Sequence, residues 1–204
     1  MYIPEQYKNE NEAEIKDFLQ KNSFGILVNQ TDGKLWATHI PLELDKDENG
    51  KDILHGHLSK ANPQWESFVS YNKVLAIFQG PHSYISSSWY EKEEVPTWNY
   101  IAVHVYGTIK IIEGEALVSS LKKLVDKYEA NSEKPVRVEE LSNKTMRQIN
   151  GIVGFIIEID DIQAVKKMSQ TRNDKDYHNI ISELEKTEGA DAVEVANIMA
   201  KCPR

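Results

Sequence analysis

Aromatic and hydroxyl side chains are concentrated in one short part of the chain, between Gly80 and Tyr100. Trp89 and Trp98 lie there together with a run of serines, Ser86 to Ser88. These residues do not alternate as in a half-buried strand, and a loop in solvent rarely carries so many rings. Flat apolar surfaces beside hydroxyl groups suit a ligand with an aromatic ring and a phosphate. Ser86 and Ser88 are candidate phosphate donors, and the two indoles are candidate ring partners, although serine-rich loops and buried tryptophans are both common.

A second candidate lies where a predicted strand gives way to a short helix. Ser59 and Lys60 follow the strand, and Asn62 and Pro63 have the types preferred at the N-cap and at the first helical position. The start of a helix offers free N–H groups to an anion, and Lys60 adds a full positive charge. The turn therefore predicts a phosphate contact. A capped turn with a surface lysine explains the same residues.

The third candidate combines polar side chains from two places in the chain. Ser169, Gln170 and Arg172 follow the last predicted strand, and a guanidinium can bind a phosphate through two hydrogen bonds. Asn99 carries an amide that both donates and accepts, which suits the edge of a ring system. If a strand begins near Trp98, Asn99 faces the side opposite Trp98. A solvated basic turn is an equally good interpretation of the residues from Ser169 to Arg172.

Histidines give an alternative chemistry. His55 and His57 are two residues apart on a predicted strand and so face one side of it, and His39 lies on a nearby strand. This spacing permits a metal or haem site. No cysteine or carboxylate is visibly grouped with them, so His57 as a hydrogen-bonding residue beside an organic ligand is the favoured hypothesis.

Composition narrows the class of protein. The chain has 204 residues, a formal net charge of −8 and one cysteine, Cys202. The acidic balance disfavours nucleic acid as a partner, and the single thiol rules out an intrachain disulfide, which fits a cytoplasmic location. The start of the sequence lacks the basic and apolar stretches of a signal peptide, and we expect no membrane span.

Elements that position these residues follow from hydrophobic periodicity and turn signals. Helices are predicted at 11–22, 115–129 and in two C-terminal segments, and a short one begins at Pro63. Thr31-Asp32-Gly33 predicts a hairpin turn. The predicted strands are 24–29, 34–40, 41–44, 52–58, 73–79, 99–112, 151–159 and 164–168. Hairpins dominate and regular β-α-β alternation is missing, so the pattern predicts an α+β barrel or sandwich.

Several motifs in order along the chain resemble the PaiB-like family, FMN-binding negative transcriptional regulators of bacteria. The resemblance covers nearly the whole chain. The motifs are Met1-Tyr2-x-Pro4, His39-x-Pro41, Gly56-His57-Leu58, Ala61-Asn62-Pro63-x-Trp65, Gly80-Pro81-x-x-Tyr84-Ile85-Ser86, Ser88-Trp89-Tyr90, Pro96-Thr97-Trp98-Asn99-Tyr100, His104, Gly107 and Ser169-Gln170-x-Arg172. Two positions depart from the family pattern: Lys60 stands where the family usually has Arg, and Ser87 where it usually has Pro.

The resemblance implies an antiparallel split β-barrel, like that of pyridoxamine-phosphate-oxidase-like flavoproteins, with inserted and C-terminal helices. It implies a homodimer that binds FMN at its interface and regulates sporulation and protease production. We expect an FMN-binding domain over residues 1–170 and a helical extension over 171–204. Contact with DNA is implied by the family but opposed by the charge, and an FMN-dependent oxidoreductase is the alternative function. The residues predicted to bind FMN are His57, Ser59, Lys60, Asn62, Ser86, Ser88, Trp89, Trp98, Asn99, Ser169, Gln170 and Arg172.

Overall fold

The computed structural model describes residues 1–202, which contain seven strands and five α-helices. The strands are β1 (Phe24–Thr31), β2 (Lys34–Pro41), β3 (Glu43–Lys46), β4 (Asp52–Ser59), β5 (Lys73–Ile85), β6 (Thr97–Ile112) and β7 (Ile152–Lys167). The α-helices are α1 (Glu12–Lys21), α2 (Gly114–Glu129), α3 (Asn143–Met146), α4 (Asp174–Lys186) and α5 (Ala190–Lys201). Short 3-10 helices cover Glu5–Tyr7, Pro63–Ser67, Ser87–Trp89, Val138–Glu140 and Arg147–Gly151.

The strands form one sheet in the order β2-β1-β5-β6-β7-β4-β3. The pairings of β1 with β2 and β5, and of β4 with β3 and β7, are antiparallel. Leu27 pairs with Thr38 across the first hairpin, and His57 pairs with Gly154 between β4 and β7. This antiparallel sheet with added helices is the α+β class that the sequence predicts.

The hairpin of β1 and β2 closes through Asp32 and Gly33, which have φ angles of 50° and 76°. Two successive positive φ values match the right-handed twist of a hairpin and explain the Asp-Gly pair. The predicted turn is confirmed.

By its internal contacts the chain divides into two compact units. Unit 1 contains Met1–Phe18, Gln79–His104 and the residues from Gln163 onward; unit 2 contains Leu19–Phe78 and Val105–Ile162. Each of β5, β6 and β7 therefore has residues in both units. The division runs across the sequence in several places, and the predicted boundary between residues 170 and 171 stays a prediction.

Each unit has its own apolar interior. In unit 1, α4 and α5 pack together, and Ile180 and Val195 are fully buried in a cluster with Ile85 and Met168. In unit 2, the ring of Phe155 is fully buried and meets Phe68 edge-on, with ring centroids 5.7 Å apart. Among the described residues, none of the helices combines the length and apolar character that crossing a membrane requires.

Several predicted elements differ in the structure. β5 continues to Ile85, so the first part of the aromatic segment is strand. The last two predicted strands are one strand, β7, and the exposed Asp160 in its middle accepts from Lys73 and Thr108 at 2.8 and 3.3 Å. The short helix predicted to begin at Pro63 is a 3-10 helix that ends at Ser67.

Candidate functional site

The twelve residues predicted to bind FMN fall into two groups, one in each unit. Unit 2 contains the smaller group, with His57, Ser59, Lys60 and Asn62. Unit 1 contains the larger group, with Ser86, Ser88, Trp89, Trp98, Asn99, Ser169, Gln170 and Arg172.

The turn after β4 has a defined geometry. The backbone N–H of Lys60 donates to the carbonyl of Gly151 at 2.8 Å, and the carbonyl of Lys60 accepts from the indole Nε1 of Trp65 at 3.0 Å. Ser59 Oγ accepts from the N–H of Ala61 at 3.3 Å. These bonds fix the backbone on both sides of Lys60, whose side chain is exposed.

Asn62 caps the 3-10 helix as its sequence position predicts. Its Oδ1 accepts from the N–H of Gln64 at 3.1 Å, and its Nδ2 donates to Thr38 Oγ1 at 2.9 Å. Both polar atoms of the amide therefore form hydrogen bonds within the protein. Asn62 contributes to the site by fixing where the turn ends and the 3-10 helix begins.

A cavity of about 940 Å³ opens beside this turn, within unit 2. Its apolar wall includes Leu117 and Val153, and Lys60, Trp65 and Asn150 also line it. The volume lies in the range of roughly 300–1,000 Å³ that small-molecule sites occupy. An indole and aliphatic side chains beside an ammonium and an amide can bind a flat ring with a charged group at one end.

Helix α2 forms another side of the cavity with its first residues. Glu113 precedes the helix without making a side-chain cap, so Gly114 and Glu115 begin it with free N–H groups. Glu113 and Glu115 also bring carboxylates, which repel an anion. Lys122 lines the cavity too, but its Nζ donates to Glu139 Oε1 at 2.5 Å, and this hydrogen bond raises the pKa of the ammonium. Lys60 is therefore the cation best suited to a phosphate here.

Histidines of β4 are held neutral by their surroundings. Burial lowers the pKa of His57, and burial also outweighs the nearby Asp45 carboxylate to lower the pKa of His55. His55 Nδ1 lies 2.8 Å from Ser120 Oγ, and its Nε2 lies 3.3 Å from Asp45 Oδ2. A neutral imidazole can donate and accept hydrogen bonds beside an organic ligand.

Support for the metal alternative is weak. His39 is exposed and stacks on Phe24 with ring centroids 6.4 Å apart, and His55 is engaged as described above. Across residues 1–202, no three side chains of His, Cys, Asp or Glu are grouped as a metal ion requires. The histidines are better explained by packing and hydrogen bonding.

In unit 1, the aromatic segment forms an exposed patch of rings. Trp98 is 52% exposed, and its ring lies 6.1 Å from that of His82 and 6.0 Å, edge-on, from that of Tyr84. Asn99 is fully buried on the opposite side of the strand, as the predicted alternation requires. Trp98 thus offers a flat surface, whereas Asn99 does not reach solvent.

Serines of this segment organise the backbone. Ser86 Oγ accepts from the N–H of Ser88 at 3.2 Å and lies 2.8 Å from Ser88 Oγ, so it caps the 3-10 helix that ends at Trp89. The carbonyl of Trp89 accepts from Asn179 Nδ2 at 2.6 Å. A smaller cavity of about 420 Å³, also within unit 1, is lined by Ser88 and Trp89.

The remaining unit 1 candidates are bonded within the fold. Ser169 Oγ donates to Asn99 Oδ1 at 3.0 Å, and Gln170 Oε1 accepts from the N–H of Met168 at 2.7 Å. Arg172 lies 4.2 Å from the centre of the Tyr90 ring and 3.4 Å from Glu94 Oε1. Their role in binding FMN stays a prediction, and each has a structural role that is already visible.

Sequence reasoning missed several residues of the unit 2 cavity. Trp65, Asn150 and Leu117 line the cavity, but none of them is among the residues predicted to bind FMN. The spacing of Trp65 from Lys60 carried a signal, because an indole N–H beside a turn usually finds a carbonyl. Asn150 belongs to a 3-10 helix distant in sequence, which no local pattern could connect to Lys60.

The unit 2 cavity fits FMN by its chemistry. The isoalloxazine ring needs an apolar wall with a few polar groups, which Trp65, Val153 and Asn150 provide. The phosphate needs a cation with a fixed backbone, which Lys60 provides.

Comparison with known proteins identifies the family. Residues 1–161 match the model of the family described as "Putative FMN-binding domain". The protein "Protease synthase and sporulation protein PAI 2" of Bacillus subtilis (strain 168) is 46% identical over 200 residues, which are 98% of this chain and 96% of that protein. An uncharacterised protein of Emericella nidulans is 28% identical over 248 residues, covering 98% of this chain and 96% of its own.

Solved structures share the fold at low identity. The flavocytochrome Anf3 from Azotobacter vinelandii superposes with a TM-score of 0.63 at 15% identity, over 85% of this chain and 75% of that one. The FAD and heme binding protein from Mycobacterium smegmatis superposes with a TM-score of 0.61 at 16% identity, over 79% of this chain and 73% of that one. The expected α+β antiparallel split-barrel class is confirmed. The chain therefore belongs to the FMN-binding family that its sequence matches, among the PaiB-like proteins, and FMN is the cofactor which that family assigns to it.

Proposed function

We propose that this protein is an FMN-binding regulator of protease synthesis and sporulation, acting as its Bacillus subtilis relative is named. Support comes from 46% identity to that relative over 98% of this chain and 96% of the relative. The proposal places the protein in the cytoplasm, where regulators of transcription act.

We place FMN in the unit 2 cavity, and the predicted contribution of a second subunit to the site stays a prediction. Lys60 and Ser59 bind the phosphate, and Trp65 and the aliphatic wall contact the ring. The observation that carries this assignment is the Lys60 backbone, held at 2.8 Å by Gly151 and at 3.0 Å by Trp65 at the border of the cavity. His57 and Asn62 border the same turn and shape it. Bound FMN supplies reversible one- and two-electron chemistry, and the chain holds and orients it.

We propose a homodimer whose interface includes the β1–β2 hairpin. β2 is an edge strand, and Leu35 and Phe24 on this hairpin are 83% and 66% exposed. An edge strand that exposes large apolar side chains invites another chain. A second copy is the partner that the family resemblance implies.

Contact with promoter DNA is the part of the regulatory proposal that the net charge of −8 opposes. It is therefore tested separately, by binding to promoter fragments over a range of salt concentrations. Salt-sensitive binding that also depends on the fragment's sequence supports direct regulation. Its absence restricts the proposal to regulation through another protein.

Absorbance spectra of fresh protein, before and after addition of FMN, test the function. We expect a flavin spectrum, and release of FMN on denaturation. A protein that is colourless when fresh, and that keeps no flavin absorbance once unbound FMN has been removed after the addition, would overturn the proposal. Bleaching by a reduced nicotinamide with sustained turnover would instead assign the FMN-dependent oxidoreductase.

A further inference from the structure

A buried network of polar side chains lies beneath the turn that contains Lys60. Gln64, on the 3-10 helix Pro63–Ser67, has no exposed surface. Its Nε2 donates to the carbonyl of Leu27 at 3.1 Å and to Asn29 Oδ1 at 2.9 Å. Both acceptors belong to β1, so the amide ties the start of the 3-10 helix to the sheet.

The same network ties the end of the 3-10 helix. Asn29 Nδ2 donates to Ser67 Oγ at 2.8 Å, and Ser67 Oγ donates to the carbonyl of Gln64 at 2.8 Å. Thr31 Oγ1 lies 3.0 Å from the same hydroxyl. Gln64, Asn29 and Ser67 thus form a closed ring of hydrogen bonds, all at most 8% exposed.

Removing these polar groups from water costs desolvation free energy that an apolar core would avoid. A leucine or methionine at position 64 would fill the space without desolvating an amide. Among the described residues, Gln64 Oε1 is buried without a hydrogen-bond partner, which adds to this cost. The bonds that Gln64 Nε2 and Asn29 do make favour one geometry, because breaking them would leave further buried groups unpaired. The benefit of this network is therefore the position it imposes on the 3-10 helix.

That position reaches Lys60 through Trp65, the neighbour of Gln64 in sequence. The Trp65 indole donates to the Lys60 carbonyl at 3.0 Å, and Asn62 accepts from the N–H of Gln64 at 3.1 Å. Hydrogen bonds from Gln64 to β1 and from Trp65 to Lys60, joined by the peptide bond between Gln64 and Trp65, therefore connect β1 to the backbone of Lys60. If the 3-10 helix shifts, the indole and the Lys60 carbonyl shift with it.

We propose that Gln64 is a positioning residue for recognition of the FMN phosphate: it makes no contact with the nucleotide, and it fixes the turn from which Lys60 binds the phosphate. This inference rests on the proposed function, in which Lys60 holds the phosphate. A long, flexible lysine binds more tightly when its backbone is fixed beforehand. Gln64 occupies the variable position within Ala61-Asn62-Pro63-x-Trp65, so the motif itself gives it no role.

The test compares FMN with riboflavin, which has the same ring and no phosphate. Binding of each to the full chain is followed by quenching of flavin fluorescence. Gln64→Met keeps the volume and removes the amide. We expect its affinity for FMN to fall about tenfold and its affinity for riboflavin to change less than about twofold. A general loss of stability would weaken the binding of both flavins together.

Ile157→Val is the matched control, because it removes one buried methylene from unit 2 without touching the network. We expect it to lower the melting temperature and leave the ratio of FMN to riboflavin affinity unchanged. An unchanged ratio in folded Gln64→Met, or an equal change in the control, overturns the inference. If Gln64→Met does not fold, the milder Ser67→Ala is used, because it breaks the same ring of hydrogen bonds. Its ratio of FMN to riboflavin affinity then tests the inference in the same way.

Lys60→Ala separates failure of this inference from failure of the proposed function. If this variant leaves the ratio unchanged, the phosphate does not bind at Lys60, and the assignment of the cavity is wrong. If Lys60→Ala lowers the ratio and the network variants do not, the cavity assignment holds and only the role of Gln64 is wrong.

Discussion

Ser120 Oγ lies 2.8 Å from His55 Nδ1, and this contact joins helix α2 to strand β4. The other nitrogen of the ring lies 3.3 Å from Asp45 Oδ2 on β3. Serine, histidine and aspartate in a row resemble the constellation of a hydrolase, but Ser120 lies inside a helix and no G-x-S-x-G motif surrounds it. The contacts among Ser120, His55 and Asp45 hold helix α2 against strands β3 and β4.

Further polar contacts along the same side of α2 support this interpretation. Lys123 pairs with Asp45, and Lys127 Nζ donates to Glu43 Oε2 at 2.5 Å. The hydroxyl of Tyr128 donates to Glu43 Oε1 at 2.9 Å, although Glu43 is only 6% exposed. Spacings of three and four residues place these side chains on one face. Since the first turns of α2 line the cavity, these contacts also help to set the cavity's shape.

Stability should fall as the pH decreases below the ordinary pKa of histidine. Burial lowers the pKa of His55, so the unfolded chain takes up a proton near pH 6.5 while the folded chain resists it until lower pH. The stability present above pH 6.5 is therefore lost as the pH falls through the region below it. Melting temperatures between about pH 7.5 and about pH 5.5 should show this decrease.

His55→Gln tests the origin of this pH dependence, because the amide keeps a hydrogen-bonding side chain that does not titrate. We expect a smaller decrease in melting temperature over the same pH range. Some dependence should remain, because burial also lowers the pKa of His57 and of His104. An equal decrease in the variant and the wild type would exclude His55 as a source.

Lys60→Ala should weaken FMN binding by about tenfold or more, since a charge-assisted hydrogen bond contributes about 1.5–3 kcal/mol. Lys60→Arg should bind FMN at least as tightly as the wild type, because a planar guanidinium matches a phosphate better. Lys134→Ala, which removes an exposed lysine outside the proposed dimer interface, is the control for loss of charge alone. Fluorescence titration measures all three, and equal losses in Lys60→Ala and Lys134→Ala would contradict a local contact.

Ser169→Ala should destabilise the protein by about 1–3 kcal/mol. The Ser169 hydroxyl donates to Asn99 Oδ1 at 3.0 Å. Because Asn99 is fully buried, water cannot replace the lost hydrogen bond. Ser70→Ala, at an exposed position, should change the free energy of unfolding by less than about 0.5 kcal/mol. Urea denaturation measures both variants, and a neutral Ser169→Ala would show that the buried pair contributes little.

Arg172→Ala should lower the melting temperature, because the guanidinium stacks on Tyr90 at 4.2 Å and lies 3.4 Å from Glu94. The predicted phosphate role of Arg172 is tested by the same variant. A selective loss of FMN over riboflavin affinity would establish that role. If both affinities change together, Arg172 acts through the stability of unit 1.

The sequence predicted the fold well where local signals and buried patterns agree. Asp32-Gly33 marked the hairpin, and the apolar positions of α4 and α5 marked the C-terminal helices. It predicted the turn at Ser59 and Lys60 because the end of a strand, a lysine and the N-cap residue Asn62 follow one another closely in the sequence. It did not predict that Asn99 and Ser169 bond to each other, since they are 70 positions apart. Nor did it reveal Gln64, whose role depends on contacts with β1 that no spacing in the sequence displays.

A homodimer should dissociate when the apolar surface of the β1–β2 hairpin becomes charged. Leu35 is 83% exposed on the edge strand, so Leu35→Lys removes no internal packing and places an ammonium where a second copy would lie. Sedimentation at micromolar concentration should show a dimer for the wild type and a monomer for the variant, with similar melting temperatures. Val193→Lys is the control, because Val193 is also exposed, at 41%, but lies on α5. A monomeric wild type would contradict the dimer, and a dimeric Leu35→Lys would place the interface on another surface.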